Sequence, residues 1–342
     1  MKRRDFMRAV IGGSLLAGGG GLAAWSAAKL SRRGQTPPAR QLGAEFRYDV
    51  SRWTKTDPSQ LRYRLASSRE LPLTVARALA LGPAGELYLV GDRHLWLGQL
   101  SGGEGQKVTL DGPPTCLAIN PAGELLIGVG GRLGRWSASG EHLGWLPAPA
   151  ANALLVSVAA QGEALYQADA TNKVIYRCDA AGRVLGRLGE RDTAQGVPGL
   201  VVPSPFLPIR LLPDGRLWVS NPGRHRLERY QPDGTLELAW GRPGMEVEAF
   251  CGCCNPVAFD LLPDGRLVAA EKGLPRVKLL TAENGQFDGL VAGPEAFVAG
   301  AYACAGNDCR SGHLDLACDG RGWVWILQSQ PARLYAFEPL PA

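Results

Sequence analysis

Three stretches decide the fold: Pro213-Asp214-Gly215-Arg216-Leu217-Trp218-Val219, Pro263-Asp264-Gly265-Arg266-Leu267-Val268 and Cys318-Asp319-Gly320-Arg321-Gly322-Trp323-Val324. In each, an apolar run reaches an Asp-Gly turn and a second apolar run leaves it, which is the pattern of two short strands joined tightly. Earlier copies surround Pro83-Ala84-Gly85-Glu86 and Pro121-Ala122-Gly123-Glu124, with a degenerate one at Gln161-Gly162. The turn glycines, ending at Gly320, are separated by 38, 39, 53, 50 and 55 residues. Short strands repeating at such a period argue for a β-propeller rather than a sandwich. Six turns imply six blades of four strands. The last copy leaves room for only three strands, ending near Leu334-Tyr335-Ala336-Phe337. The alternating segment Leu61-Arg62-Tyr63-Arg64-Leu65 is the expected fourth, so the ring is predicted to close with an N-terminal strand at about residues 60–66.

The strand–Asp-Gly–strand rhythm occurs twice in the fourth blade, at Pro213-Asp214-Gly215 and Pro232-Asp233-Gly234. Over about residues 60–337 this pattern resembles the NHL-type six-bladed propellers. The resemblance implies the architecture. It does not imply one function, because such propellers serve as protein-binding, RNA-binding and occasionally catalytic scaffolds.

The chain opens Lys2-Arg3-Arg4-Asp5-Phe6-Met7-Arg8, followed by an apolar, Gly- and Ala-rich run from Ala9 to about Ala28. A charged start, an apolar stretch and small residues at Ser26-Ala27-Ala28 read as an export signal. The paired arginines and following aromatic resemble the twin-arginine (Tat) signal of bacteria. The run also has about the ~20 residues needed to span a bilayer, so an inner-membrane tether is the other reading. The expected organisation is therefore 1–33 signal or anchor, 34–58 linker and lead-in, and 59–342 propeller, in a periplasmic or otherwise extracytoplasmic location. Residues 1–40 carry eight basic residues against Asp5, a net of +7 within a total of +5, which leaves the remainder at −2. A slightly acidic body lacks the basic footprint of a nucleic-acid binder.

Cysteine carries the functional signal. Cys251, Cys253 and Cys254 fall within four residues, and Cys304 and Cys309 stand about one repeat later. Both groups sit in long links between blades, on the face opposite the short Asp-Gly turns, so all five are expected to gather above one blade. Cys116, Cys178 and Cys318 are expected to stay apart. Thiolates from two loops suit an iron–sulfur cluster or a zinc or copper ion. An exported protein equally forms disulfides, although a bridge between the neighbours Cys253 and Cys254 is strained. A thiol-redox role is the third chemistry. The C-x-C-C spacing matches neither a zinc ribbon nor a ferredoxin run.

Lys272 and Arg276, in the second-to-third strand loop of the fifth blade, are placed on the same face, where cations lower thiol pKa; Glu271 is read as their simple partner. Counting back from the turns puts Arg210, Asp260 and Asp315 in one register on the channel-lining strands, with His313 two residues nearer the cysteines. These four read as a paired charge network or as a polar funnel serving a site. No Gly-x-Ser-x-Gly elbow and no His-Glu-x-x-His helix is present, so nothing marks a hydrolase. The expectation is an exported propeller passing electrons through a cysteine-held metal or cluster to a periplasmic or membrane partner. The competing expectation is a cofactor-free interaction scaffold with disulfide-stapled loops, and a third is an enzyme working over His313 and Asp315.

Overall fold

Glycine at each tight turn and period-two alternation between turns leave the chain little to form but strands. The computed structural model describes residues 53–194, 196–298 and 313–341, and among these are twenty-four strands in six antiparallel four-stranded sheets. Strand β1 (Tyr63–Glu70) precedes the repeats. Blade one is β2 (Ala76–Leu81), β3 (Glu86–Gly91), β4 (His94–Gln99) and β5 (Gln106–Thr109). Blade two is β6 (Pro114–Ile119), β7 (Leu125–Val129), β8 (Arg132–Trp136) and β9 (His142–Trp145). Blade three follows with β10 (Leu155–Gln161), β11 (Ala164–Asp169), β12 (Val174–Cys178) and β13 (Val184–Leu188). Blade four comprises β14 (Ile209–Leu211), β15 (Leu217–Asn221), β16 (Arg226–Tyr230) and β17 (Leu236–Trp240). Blade five holds β18 (Ala258–Leu261), β19 (Leu267–Ala270), β20 (Val277–Leu280) and β21 (Phe287–Ala292). Blade six contributes β22 (Leu314–Cys318), β23 (Val324–Gln328) and β24 (Arg333–Pro339).

The sixth sheet runs β1-β24-β23-β22, so the strand before the repeats completes the last blade, as the truncated sixth copy requires. β1 pairs β24 from Tyr63↔Pro339 to Glu70↔Arg333 and extends further than the alternation at 61–65 indicates. Leu61 belongs to another contact: it bridges Leu290 of blade five, where the Arg62 amide donates to the Leu290 carbonyl at 2.9 Å. The lead-in is fixed as well, because Glu295 accepts from the Thr56 amide at 2.8 Å and hydroxyl at 2.7 Å.

Packing lies between blades. Six apolar clusters of buried residues each span two neighbouring blades, one in every seam of the ring. Between blades five and six, Val268, Val277 and Leu279 meet Leu316, Ile326 and Phe337. Between four and five, the fully buried Trp218 and Phe259 share the seam. Among the described residues, no helix is long and apolar enough to cross a membrane.

The sixth turn departs from the expected register. In blade five the turn is closed by Leu262 N–H to Arg266 C=O at 2.8 Å and Gly265 N–H to Leu262 C=O at 2.9 Å, with Gly265 at φ 87°. In blade six the same bonds run from Asp319 to Trp323 C=O and from Gly322 to Asp319 C=O, both at 3.0 Å, and it is Gly322 that holds the left-handed φ of 80°. Gly320 stands where blade five has Pro263, so the sixth copy reads two residues later than Asp319-Gly320 suggests. Arg210 and Asp260 are level with one another on adjacent inner strands, paired across to Trp218 and Val268. Asp315 is one side-chain step nearer the link face, level with Ala258.

Candidate functional site

The segment bearing Cys251, Cys253 and Cys254 crosses the link face on a platform of buried charge. The loop Glu271–Arg276 closes on itself through Glu271 N–H to Arg276 C=O at 2.9 Å, which turns the Glu271 carboxylate beneath the link. That carboxylate takes the Cys251 amide at 2.7 Å, two guanidinium bonds from Arg276 at 2.8 and 3.2 Å, and the Lys278 ammonium at 3.1 Å. Side-chain exposure is 0% for Glu271 and Lys278 and 4% for Arg276, so the three charges satisfy one another out of solvent. The cations in turn hold the link: Arg276 donates to the Met245 carbonyl and Lys278 to the Ala249 carbonyl. Burial pulls the Lys278 ammonium down to about 8, with Glu271 opposing the fall.

A second clamp is Asn255. Its amide nitrogen donates to the carbonyls of Cys251 at 2.6 Å and Lys272 at 2.9 Å, and its oxygen accepts the Lys272 amide at 2.9 Å. His225 adds a third tie, its Nε2–H donating to the Gly252 carbonyl. The three thiols on this segment do not converge. Cys251 is buried, and its Sγ approaches the carbonyls of Lys272 and Leu274 at 3.8 and 3.9 Å. Burial, with the Glu271 carboxylate, pushes its thiol up to about 11, so it is a neutral packing group at pH 7. Cys253 and Cys254 face each other instead, with Sγ atoms 3.0 Å apart, the first exposed and the second buried. Cys304 and Cys309 lie outside the described residues, and among those described no group of three or more His, Cys, Asp or Glu side chains is placed to hold a metal. Cys116, Cys178 and Cys318 stand in β6, β12 and β22, away from the link.

Burial dominates the Cys251 thiol, although Arg276 does pull its pKa down, as expected of a neighbouring cation. Arg276 is committed to Glu271, and the Lys272 ammonium lies 4.6 Å from the centre of the Phe206 ring. Phe206 comes from the proline-flanked link Pro205–Pro208 and stands 5.4 Å, ring to ring, from His313. It is the joint between the cysteine link and the channel.

At its link end the channel opens into a cavity of about 170 Å³, reached by the first residues of the inner strands and bounded by Arg77, Ser157, Phe206, Arg210, His313 and Asp315. Arg210 Nε donates to Asp260 at 3.0 Å, and its other nitrogens reach the carbonyls of Ile209 and Leu316. The side chains are 29% and 20% exposed, and that exposure is to the channel lumen, since both sit on innermost strands. His313 Nε2 lies 2.9 Å from the Arg77 carbonyl, which places the ring proton on Nε2. Asp315 accepts the Leu79 amide at 3.0 Å. Burial pushes its carboxyl up to about 6, while Arg210 pulls it down.

No protein-family model and no curated protein matches the chain. Solved structures do. A streptogramin B lyase is 13% identical with a TM-score of 0.55, covering 81% of this chain and 98% of that one. A catalytically inactive histidine-to-alanine variant of virginiamycin B lyase from Staphylococcus aureus, solved with quinupristin, gives 0.53 at 13% identity over 81% and 100%. The WD40 β-propeller domain of Doa1 gives 0.51 at 11% identity over 81% and 96%. The likeness is one of fold.

Within this propeller Asp315 has a pH signature. The folded state keeps its proton to about 6, above the ordinary 3.8, so raising the pH through that window costs stability as the buried carboxyl ionises. An Asp315→Asn variant has no such loss. Its stability relative to wild type is therefore expected to rise between about pH 4 and pH 7 in urea titrations, and a pH-independent difference would show that the carboxyl carries no burial penalty.

Proposed function

We propose that this is an exported redox propeller in which Cys253 and Cys254 form a dithiol–disulfide couple exchanging electrons with another extracytoplasmic or membrane protein. The observation that carries the reading is the 3.0 Å approach of the two Sγ atoms on a rigidly held link. A bridge between adjacent residues is strained, and strained or exposed bridges are the labile, catalytic kind. The exposed Cys253 is the attacking group. As a thiolate it displaces one sulfur of a partner disulfide, forming a mixed disulfide, and the released partner sulfur takes a proton. Cys254 then attacks Cys253 Sγ, closing the Cys253–Cys254 bond and freeing the second partner thiol. The partner gains two electrons and two protons, and this pair gives them up. The twin-arginine-like Lys2-Arg3-Arg4-Asp5-Phe6 stretch supports the extracytoplasmic setting.

The iron–sulfur or metal reading asks for more donors than this link supplies, because Cys251 is turned away toward backbone carbonyls. It rests on Cys304 and Cys309, and the same experiment decides it. Full-length protein prepared without oxygen is analysed for iron, zinc and copper, then reacted with an aromatic disulfide reagent. Wild type is expected to be metal-free and to release one more reagent thiol per chain than Cys254→Ser, in which the reagent stays attached to Cys253. Cys251→Ser should behave as wild type. Stoichiometric metal that disappears in Cys254→Ser overturns the dithiol reading in favour of a metal centre. A metal-free pair that does not react leaves the interaction scaffold as the function.

A further inference from the structure

The channel mouth is built as a receptor independently of the thiols, and we propose that it binds a small uncharged molecule, a single ring bearing one hydrogen-bond acceptor such as a ketone. The shape comes from the strands. In each of the first three blades the inner strand carries one extra residue near its link end: Arg77 between Ala76 and Ala78, Thr115 between Pro114 and Cys116, and Val156 between Leu155 and Ser157. The inner strands of blades four, five and six pair without such a step. An extra residue breaks the two-residue alternation of a strand, so the neighbours Val156 and Ser157 both reach the cavity. All three extra residues border it. Blade-to-blade packing does not require them, since half the ring does without.

Size and walls set the body of the ligand. An apolar cavity of about 150 Å³ takes up benzene, so the 170 Å³ here suits one ring with a small substituent. Leu79, Leu117 and Val156 from three blades and Phe206 from the next link supply the apolar surface. Phe206 is held by the Lys272 ammonium at 4.6 Å and the His313 ring at 5.4 Å, so that wall is already in place. The charged groups offer an ion little. Arg210 is taken by Asp260 and by the carbonyls of Ile209 and Leu316, Asp315 accepts the Leu79 amide, and Arg77 is likewise engaged. An ionic ligand would be desolvated without a partner. The polar group with capacity to spare is Ser157, only 8% exposed. Its oxygen accepts the Ile209 amide at 3.2 Å, and among the described residues no acceptor takes its proton. A ligand carbonyl supplies that acceptor.

The test is calorimetric titration of the full-length protein with acetophenone, with toluene as the ring lacking an acceptor and benzoate and benzylamine as the charged counterparts. Acetophenone is expected to bind saturably, at least threefold more tightly than toluene and more tightly than either ion. Absence of saturable acetophenone binding, or tighter binding of an ion, would overturn the proposal, and this wild-type series decides it whether or not a variant folds. Val156→Trp, which fills the cavity, should abolish binding, with melting curves confirming the fold; undiminished binding by that variant places the ligand elsewhere and sinks the site. Ser157→Ala should weaken acetophenone about fivefold while binding toluene as wild type does. An unchanged preference for acetophenone over toluene in Ser157→Ala would remove Ser157 as the donor and the acceptor requirement with it. Cys254→Ser should bind acetophenone as wild type does, which separates this site from the redox reading.

Discussion

Glu271→Ala is expected to be among the most damaging single substitutions in this protein. The carboxylate is the common partner of Arg276 and Lys278 and of the Cys251 amide, and all lie out of solvent. Removing one member of a buried charge set leaves the others unpaired, at a cost of about 3–5 kcal/mol. Here two cations are stranded, and the carbonyls of Met245 and Ala249 lose an anchored donor. Urea denaturation should show the loss, and trypsin should begin to cut after Arg242, the exposed residue at the start of the link. The deficit should shrink as pH rises toward about 8. Without Glu271 the Lys278 ammonium, already pulled down by burial, sheds its proton earlier, and a neutral amine is cheaper to bury. Replacing all three charges with apolar residues of similar volume should cost far less than Glu271→Ala alone. A single-substitution loss below about 1 kcal/mol, with the link still protease-resistant, would refute the platform.

The second large effect is expected from a chain that begins after Glu70. It lacks β1, and with it seven register pairs to β24 and the Tyr63 hydroxyl bond to the Gly322 carbonyl at 2.9 Å. At about 0.5–1.5 kcal/mol per hydrogen bond the loss is several kcal/mol, equivalent to a fall in melting temperature on the order of 10 °C or more. The bared β24 edge should also recruit a second chain, seen as a dimer or larger species in light scattering. Adding a peptide of residues 60–72 should restore both properties. A truncated chain that remains monomeric with an unchanged melting temperature would contradict closure by β1.

How far the sequence was legible follows from the kind of signal each feature leaves. The ring was legible because turn glycines and alternating strands repeat, and because a sixth copy with three strands demands a fourth. The two-residue slip in blade six arose where Asp319-Gly320 imitates the Asp-Gly of the other turns while Gly322 does the conformational work. That slip set Asp315 level with Asp260, and the pairing places it one step higher, at the cavity. In the cysteine link, the neighbouring thiols were visible, but their facing was not. Cys251 turns away because Glu271 holds its amide and Asn255 its carbonyl, contacts made across loops by residues that carry no spacing signal. Lys278 did leave a trace, as a lone charge within Val277-Lys278-Leu279-Leu280, and such a charge in a buried strand implies a partner. Phe206 left none beyond its prolines.

The pairing of β1 with β24 has a consequence for synthesis. The first strand of the domain to leave the ribosome is the last to find its place, since its partner is made some 270 residues later, from Tyr63 to Arg333. Every other strand pairs with one made just before or just after it. The ring therefore completes only on a chain that has been read through blade six, and a prematurely terminated product keeps β1 unpaired and open to proteolysis. The joint that seals the propeller doubles as a check that the chain has been made as far as its last blade.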